Sequence, residues 1–141
     1  MIYTDNIGIL DALKMAEESF QFRVRMGSVI TDLKGKVISK GFNIRKTHPF
    51  QQHYANKMKN KEKEFLHAEM SALVKCRKSP HTLYVARLKK DGSIGNAKPC
   101  PICLNAIQES GLKRIVYTND DSSISFMNIE GVTLHDKKIW Y

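Results

Sequence analysis

Residues 99–111 read PCPICLNAIQESG, and the reading of the fold starts from this stretch. Pro101 suits the first position of a helix, where its fixed φ is already helical and its missing N–H has no partner to lose. Cys100 then falls at the N-cap, Cys103 three residues further on, and Gly111 at the left-handed C-terminal stop. The spacing predicts a helix over Pro101–Ser110. Short apolar runs flank it, Thr82–Leu88 (TLYVARL) before and Arg114–Thr118 (RIVYT) after, and both read as strands.

Working outward, residues 5–20 place Ile9, Leu13, Ala16 and Phe20 at helical spacing, with Asp5 or Asn6 to cap the start. Residues 24–31 (VRMGSVIT) and 37–43 (VISKGFN) read as strands, and Asp32-Leu33-Lys34-Gly35 between them suggests a hairpin turn. Residues 44–63 are polar and basic with Pro49 as a breaker, so a long loop or a broken helix is expected there. Helical spacing returns over 65–77 through Phe65, Leu66, Ala72, Leu73 and Cys76. A basic loop follows over 89–98, holding Asp91-Gly92 and Gly95, and a weaker strand is expected over 132–135. The order α-β-β-α-β-α-β-β belongs to the α/β class: a mixed sheet covered by helices, in one domain over residues 1–141.

Composition narrows the classes. The 141 residues are 42% hydrophobic and 26% charged, which excludes a disordered tail, a collagen-like repeat and a membrane protein. No apolar run approaches the ~20 residues that span a bilayer, and the start MIYTDNIGIL lacks the basic and apolar regions of a signal peptide. A cytoplasmic location is expected. Lys and Arg number 23 against 14 Asp and Glu, and the net charge of +9 favours an anionic ligand, although a solvated basic surface would show the same excess. Three cysteines in such a chain, two of them closely spaced, point to metal or redox chemistry rather than to a disulfide.

The chemistry sits in His67-Ala68-Glu69 and in Pro99-Cys100-Pro101-Ile102-Cys103. One imidazole and two thiolates suit Zn²⁺. Cys76 is the spare sulfur, but nine residues of continuous helix carry it ~13.5 Å from His67. The fourth position is thus expected to hold water, whose pKa the ion lowers towards ~7. Residues two apart do not share a helix face. His67 and Glu69 therefore converge only at the very start of a helix, where side chains gather round the end of the axis. Two helix N-termini would then face one ion, their partial positive ends favouring the thiolates. Glu69, adjacent but not a ligand, is the candidate catalytic acid-base, taking a proton from water and delivering it to a ring nitrogen and a leaving amine. H-x-E followed by P-C-x-x-C is the signature of zinc-dependent base deaminases.

From residue 24 to residue 118 the chain resembles the cytidine and deoxycytidylate deaminase superfamily, through His67-Ala68-Glu69, Pro99-Cys100-Pro101-Ile102-Cys103 and a strand ending Gly41-Phe42-Asn43. The resemblance implies a three-layer α-β-α fold with a five-stranded mixed sheet, and zinc between two helix starts. It also implies substrate contacts: Asn43 to sugar and base, the Ala68 amide to the base carbonyl, and the Lys98 carbonyl to the exocyclic amine. Arg45, Lys46 and His48 follow the Asn43 strand and are the candidate phosphate contacts, with a solvated basic loop as the plain alternative. Phe50 and Tyr54 are expected to pack that loop on the core, and Cys76 to be a buried apolar residue.

The expected activity is zinc-dependent hydrolytic deamination of a cytosine nucleotide, dCMP to dUMP as the first choice. The rival is a deaminase of single-stranded DNA or tRNA, which the charge favours because phosphate contacts dominate polynucleotide affinity. No regular basic-aromatic interleaving supports a single-strand groove. A non-catalytic zinc module is a third reading, and the acid at Glu69 argues against it. The aromatic end Ile139-Trp140-Tyr141 would dock on the body or on a second subunit, and a homo-oligomer is expected.

Overall fold

Asp32 organises the first hairpin. Its backbone N–H donates to the Lys36 carbonyl (2.9 Å), and its Oδ1 accepts from the amides of Lys34 (3.0 Å) and Lys36 (2.9 Å). Gly35 takes φ 83°, the left-handed conformation that closes such a loop without a Cβ clash. The strands so joined are β1 (Arg25–Thr31) and β2 (Val37–Phe42), antiparallel, with Ser28 opposite Gly41 and Ile30 opposite Ser39.

The computed structural model describes residues 3–19, 24–44, 49–57 and 67–129. Its helices are α1 (Asp5–Glu17), α2 (Pro49–Lys57), α3 (Ala68–Lys75) and α4 (Pro101–Ser110). The remaining strands are β3 (Thr82–Leu88), β4 (Ile94–Gly95), β5 (Arg114–Thr118) and β6 (Ile124–Asn128). The sheet runs β2-β1-β3-β5-β6, with β3 and β5 parallel and the other neighbours antiparallel; the two-residue β4 pairs with β3.

Adjacent residues on the central strands serve opposite faces, as the two-residue period of a strand requires. Val29, Tyr84, Ala86 and Val116 pack with Ile9 and Ala12 of α1. Ile30, Leu83, Val85 and Ile115 pack on the other side with Met70 and Leu73 of α3 and Ile102 and Ile107 of α4. The result is the expected α-β-α sandwich. No helix among the described residues is long and apolar enough to cross a membrane.

Several boundaries differ from the sequence reading. Thr4, not Asp5 or Asn6, caps α1, its hydroxyl accepting from the Ile7 amide at 3.3 Å. Asp5 instead forms a two-pronged ion pair with Arg114 (2.9 and 2.5 Å) and accepts from the Tyr84 hydroxyl, tying the start of α1 to β3 and β5. Part of the segment expected as loop or broken helix is helical, as α2, where Phe50 and Tyr54 are buried ring against ring. Helix α3 starts at Ala68, after the extended His67; Phe65 and Leu66 of the expected helix lie outside the described residues. The sheet has six strands among the described residues, not five. Strand β6 was not anticipated because its apolar side chains Ile124 and Phe126 are exposed, and none of its residues is fully buried. The strand expected over 132–135 lies outside the described residues, as do Phe20 and Ile139-Trp140-Tyr141.

Candidate metal centre

Both helices that carry the motif begin at a residue with extended backbone whose side chain is not used for capping. His67 is the N-cap of α3 (φ −65°, ψ 155°) and Cys100 the N-cap of α4 (φ −70°, ψ 165°). Their carbonyls accept the first helical bonds, from Ser71 and Leu104 at 2.8 Å each. Neither side chain caps its helix, which leaves the imidazole and the thiol for other work. Pro101 stands at N1 of α4 and Cys103 at N3, as the sequence reading requires.

The two starts face each other. His67 Nδ1 lies 3.2 Å from Cys103 Sγ and 3.6 Å from Cys100 Sγ, and the three ligand atoms fall within 4.8 Å of one another. Sulfurs and a nitrogen at ~2.3 and ~2.0 Å from one tetrahedral ion would be separated by distances of this order. The donor set and its spacing therefore fit zinc, and among the described residues three side chains group for it, the number typical of catalytic rather than structural sites. Cys76 stands apart as the C-cap of α3, buried, with its thiol 3.2 Å from the Lys78 carbonyl; burial pushes its pKa up.

Electrostatics differ across the cluster. The half-buried Cys100 is pulled down to about 4, chiefly by the Cys103 thiol that donates to it and then by His67. Cys103 is fully buried and its thiol is pushed up, by burial first. Glu69, at the second position of α3, is only 3% exposed, and burial raises its carboxyl pKa against the opposing pull of His67. A buried carboxyl at a helix start beside the ligands is suited to hold and release protons.

The substrate contacts implied by the resemblance sit as follows. Ala68 is buried at N1 of α3, where its N–H has no intrahelical acceptor. Lys98 is exposed, its amide bound to Asn96 Oδ1 at 3.0 Å, directly before the buried Pro99. Asn43 is largely committed to the fold: Oδ1 accepts from the Met26 amide (2.9 Å) and the Ser19 hydroxyl, and Nδ2 donates to the Val24 carbonyl (2.9 Å). Among the described residues, Val24 supplies the one acceptor that Nδ2 meets. Arg45, Lys46 and His48 lie outside the described residues.

Two supporting groups were not legible in the sequence. Buried Thr118 donates to the Gly95 carbonyl (2.7 Å), and its own carbonyl accepts from Ala97 (2.9 Å), so the end of β5 holds the strap that enters Pro99-Cys100. Buried Ser28 donates to the Ala68 carbonyl at 2.7 Å. A lone serine or threonine in a strand gives no signal of such a bond, because its partner is 23 or 40 residues away.

Residues 4–119 match the family described as the cytidine and deoxycytidylate deaminase zinc-binding region. The chain is 29% identical over 146 residues to a cytosine deaminase of Candida albicans, covering 98% of this chain and 85% of that one. Among solved structures it is similar to the apo form of dCMP deaminase from cyanophage S-TIM5, at 24% identity and a TM-score of 0.49 over 78% of this chain and 81% of that one. The same phage enzyme in complex with dCMP and dUMP matches at 25% identity and a TM-score of 0.47, over 76% and 77%. With the family match spanning most of its length and the three zinc-ligand side chains gathered at two helix starts, this chain belongs to the cytidine and deoxycytidylate deaminase family of zinc-dependent hydrolytic enzymes.

Proposed function

We propose that the protein deaminates a cytosine nucleotide, dCMP to dUMP in the first instance, with Glu69 as the group that moves protons. The observation that carries this reading is the buried Glu69 carboxyl two residues from His67, at the start of α3, which faces the α4 start that carries Cys100 and Cys103. Zinc held by His67, Cys100 and Cys103 would supply Lewis acidity, bringing the ionisation of water down towards ~7.

The chain's own residues do the rest. Glu69 accepts a proton from the attacking water and passes it to the ring nitrogen, then moves a second to the departing amine, so that cytosine and water give uracil and ammonia. The Ala68 N–H donates to the base carbonyl, and the Lys98 carbonyl accepts from the exocyclic amine. Asn43 contributes through its remaining N–H, which calls for an acceptor on the sugar or the base. Arg45, Lys46 and His48 are the proposed phosphate contacts, on the strength of the basic run that follows Asn43 in the sequence.

A second reading is free cytosine, favoured by the 29% identity to a cytosine deaminase. Comparing kcat/KM for dCMP, deoxycytidine and cytosine decides between them. A desolvated charge-assisted phosphate contact contributes about 1.5–3 kcal/mol, so dCMP should exceed deoxycytidine by roughly one to two orders of magnitude. That margin should shrink as salt rises. Equal rates on dCMP and deoxycytidine would refute phosphate recognition, and a preference for cytosine would establish the second reading. Turnover only on oligonucleotides, with a steep salt slope, would assign the activity to polynucleotides.

A further inference from the structure

We infer that Ser28 is a positioning residue for the reaction: its hydroxyl, held 2.7 Å from the Ala68 carbonyl, sets the orientation of the α3 start that presents His67 and Glu69. The inference rests on the proposed role of Glu69.

Helix α3 lies directly on the sheet. A Cβ at Gly41 would stand 2.5 Å from the Ala72 nitrogen and 2.7 Å from the Ala68 oxygen, so only glycine permits this approach. Two buried serines flank Gly41 on the same face, Ser28 opposite it on β1 and Ser39 two residues away on β2. Ser28 donates to the Ala68 carbonyl and Ser39 to the Ala72 carbonyl, at 2.7 and 2.6 Å. Ala68 and Ala72 are one helical turn apart, ~6 Å along the axis. Gly41 and Ser39 are one strand repeat apart, ~6.7 Å. The two hydroxyls thus meet successive carbonyls along one side of α3, and the helix cannot slide along the sheet without losing both.

The two bonds are chemically alike but differ in what they hold. The Ala72 bond lies a turn inside the helix, beyond the reacting groups. The Ala68 bond fixes the peptide plane that joins Ala68 to Glu69, immediately after the zinc ligand His67. Ala68 donates its own N–H from the adjoining peptide. The Ala68 carbonyl sits where the helix supplies a second donor, the Ala72 amide, so removing the Ser28 hydroxyl strands no buried acceptor. The amide four residues after Ala72, that of Cys76, donates to the Leu73 carbonyl instead (3.1 Å), so the Ala72 carbonyl depends more on Ser39. Catalysis is more sensitive than folding to such a change, because displacing a reacting group by about 1 Å can cost ~10²-fold in rate.

The test compares Ser28→Ala with Ser39→Ala in zinc-loaded protein, measuring zinc content, thermal midpoint, kcat and KM. Both variants should keep one zinc, with Ser39→Ala losing at least as much thermal stability as Ser28→Ala. Ser28→Ala should lose about ten- to a hundredfold in kcat with KM little changed, while Ser39→Ala keeps the wild-type kcat. A wild-type kcat for Ser28→Ala, or an equal fall in both variants, would overturn the proposal. If Ser28→Ala does not fold, Ser28→Thr carries the test: it keeps the hydroxyl and should keep kcat, and a collapsed kcat in folded, zinc-loaded protein would count against it. Glu69→Gln in parallel separates the two levels. If that variant stays active, the role of Glu69 fails; if it is inactive while both serine variants behave alike, only the positioning role fails.

Discussion

His67 Nδ1 and Cys103 Sγ, 36 residues apart in sequence, stand 3.2 Å from each other across the starts of α3 and α4. The distance couples two elements that approach from different parts of the chain, and it makes the candidate centre a joint between them. Metal held there links both helix starts.

Removing zinc should accordingly loosen both helices at once. Treatment with a strong chelator is expected to lower the thermal midpoint and to open Cys100, the half-buried thiol, to alkylation before the fully buried Cys103. Peptide mass spectrometry after a short iodoacetamide pulse checks the order, and added zinc should restore protection. The Cys100→Ser, Cys103→Ser double variant should bind no zinc; one zinc per chain in that variant would contradict the ligand set.

The ion pair of Asp5 with Arg114 gives stability a pH dependence. Arg114 holds the Asp5 carboxyl below its usual range, so the folded pKa lies under the unfolded value of ~3.9. A group shifted this way contributes stability above the unfolded pKa, and that contribution is lost as pH falls through the folded one. With both side chains about a third exposed, solvent screening holds the effect to about 1 kcal/mol. Urea midpoints should drop between about pH 5 and pH 3, and Asp5→Asn should reduce that drop. An unchanged slope in the variant would show that the pair is energetically silent.

Gly27 separates stability from chemistry. A Cβ there would meet the Ala12 carbonyl at 2.1 Å and the Ala16 nitrogen at 2.2 Å, both backbone atoms of α1. Gly27→Ala must push α1 off the sheet, at a cost of about 3 kcal/mol or more. Because α1 covers the face opposite α3 and α4, zinc content and the kcat of the folded fraction should stay at wild-type levels. Denaturant melts and activity on the same preparation check both halves.

How much of this was legible depends on the range of the interactions. The α4 start could be read because Pro101, Cys100, Cys103 and Gly111 each carry a local conformational preference. His67 offers no side-chain cap, and its place at the start of α3 followed only from requiring that it meet Glu69 at one point. Between a long loop and a broken helix over 44–63 the polar sequence could not decide; α2 forms within that segment, with Phe50 and Tyr54 buried. Strand β6 was hidden because it is defined by backbone pairing with β5, while Ile124 and Phe126 are exposed and Met127 packs only partly buried on the core. The second roles of Asn43, Ser28 and Thr118 have the same origin: each is a polar side chain bonded to backbone far along the chain.

The most direct measurement is the release of ammonia and dUMP from dCMP by zinc-loaded wild type and by Glu69→Gln at equal zinc content. The amide matches the carboxyl in size but cannot shuttle a proton, and general acid-base catalysis is worth ~10²–10⁴ in rate. The expected result is equimolar ammonia and dUMP from the wild type and a loss of that order, or greater, in the variant with its zinc retained. Variant turnover within about tenfold of wild type, below the range such catalysis supplies, would contradict the assignment of Glu69. A zinc-loaded wild type inert towards dCMP would contradict the proposed substrate.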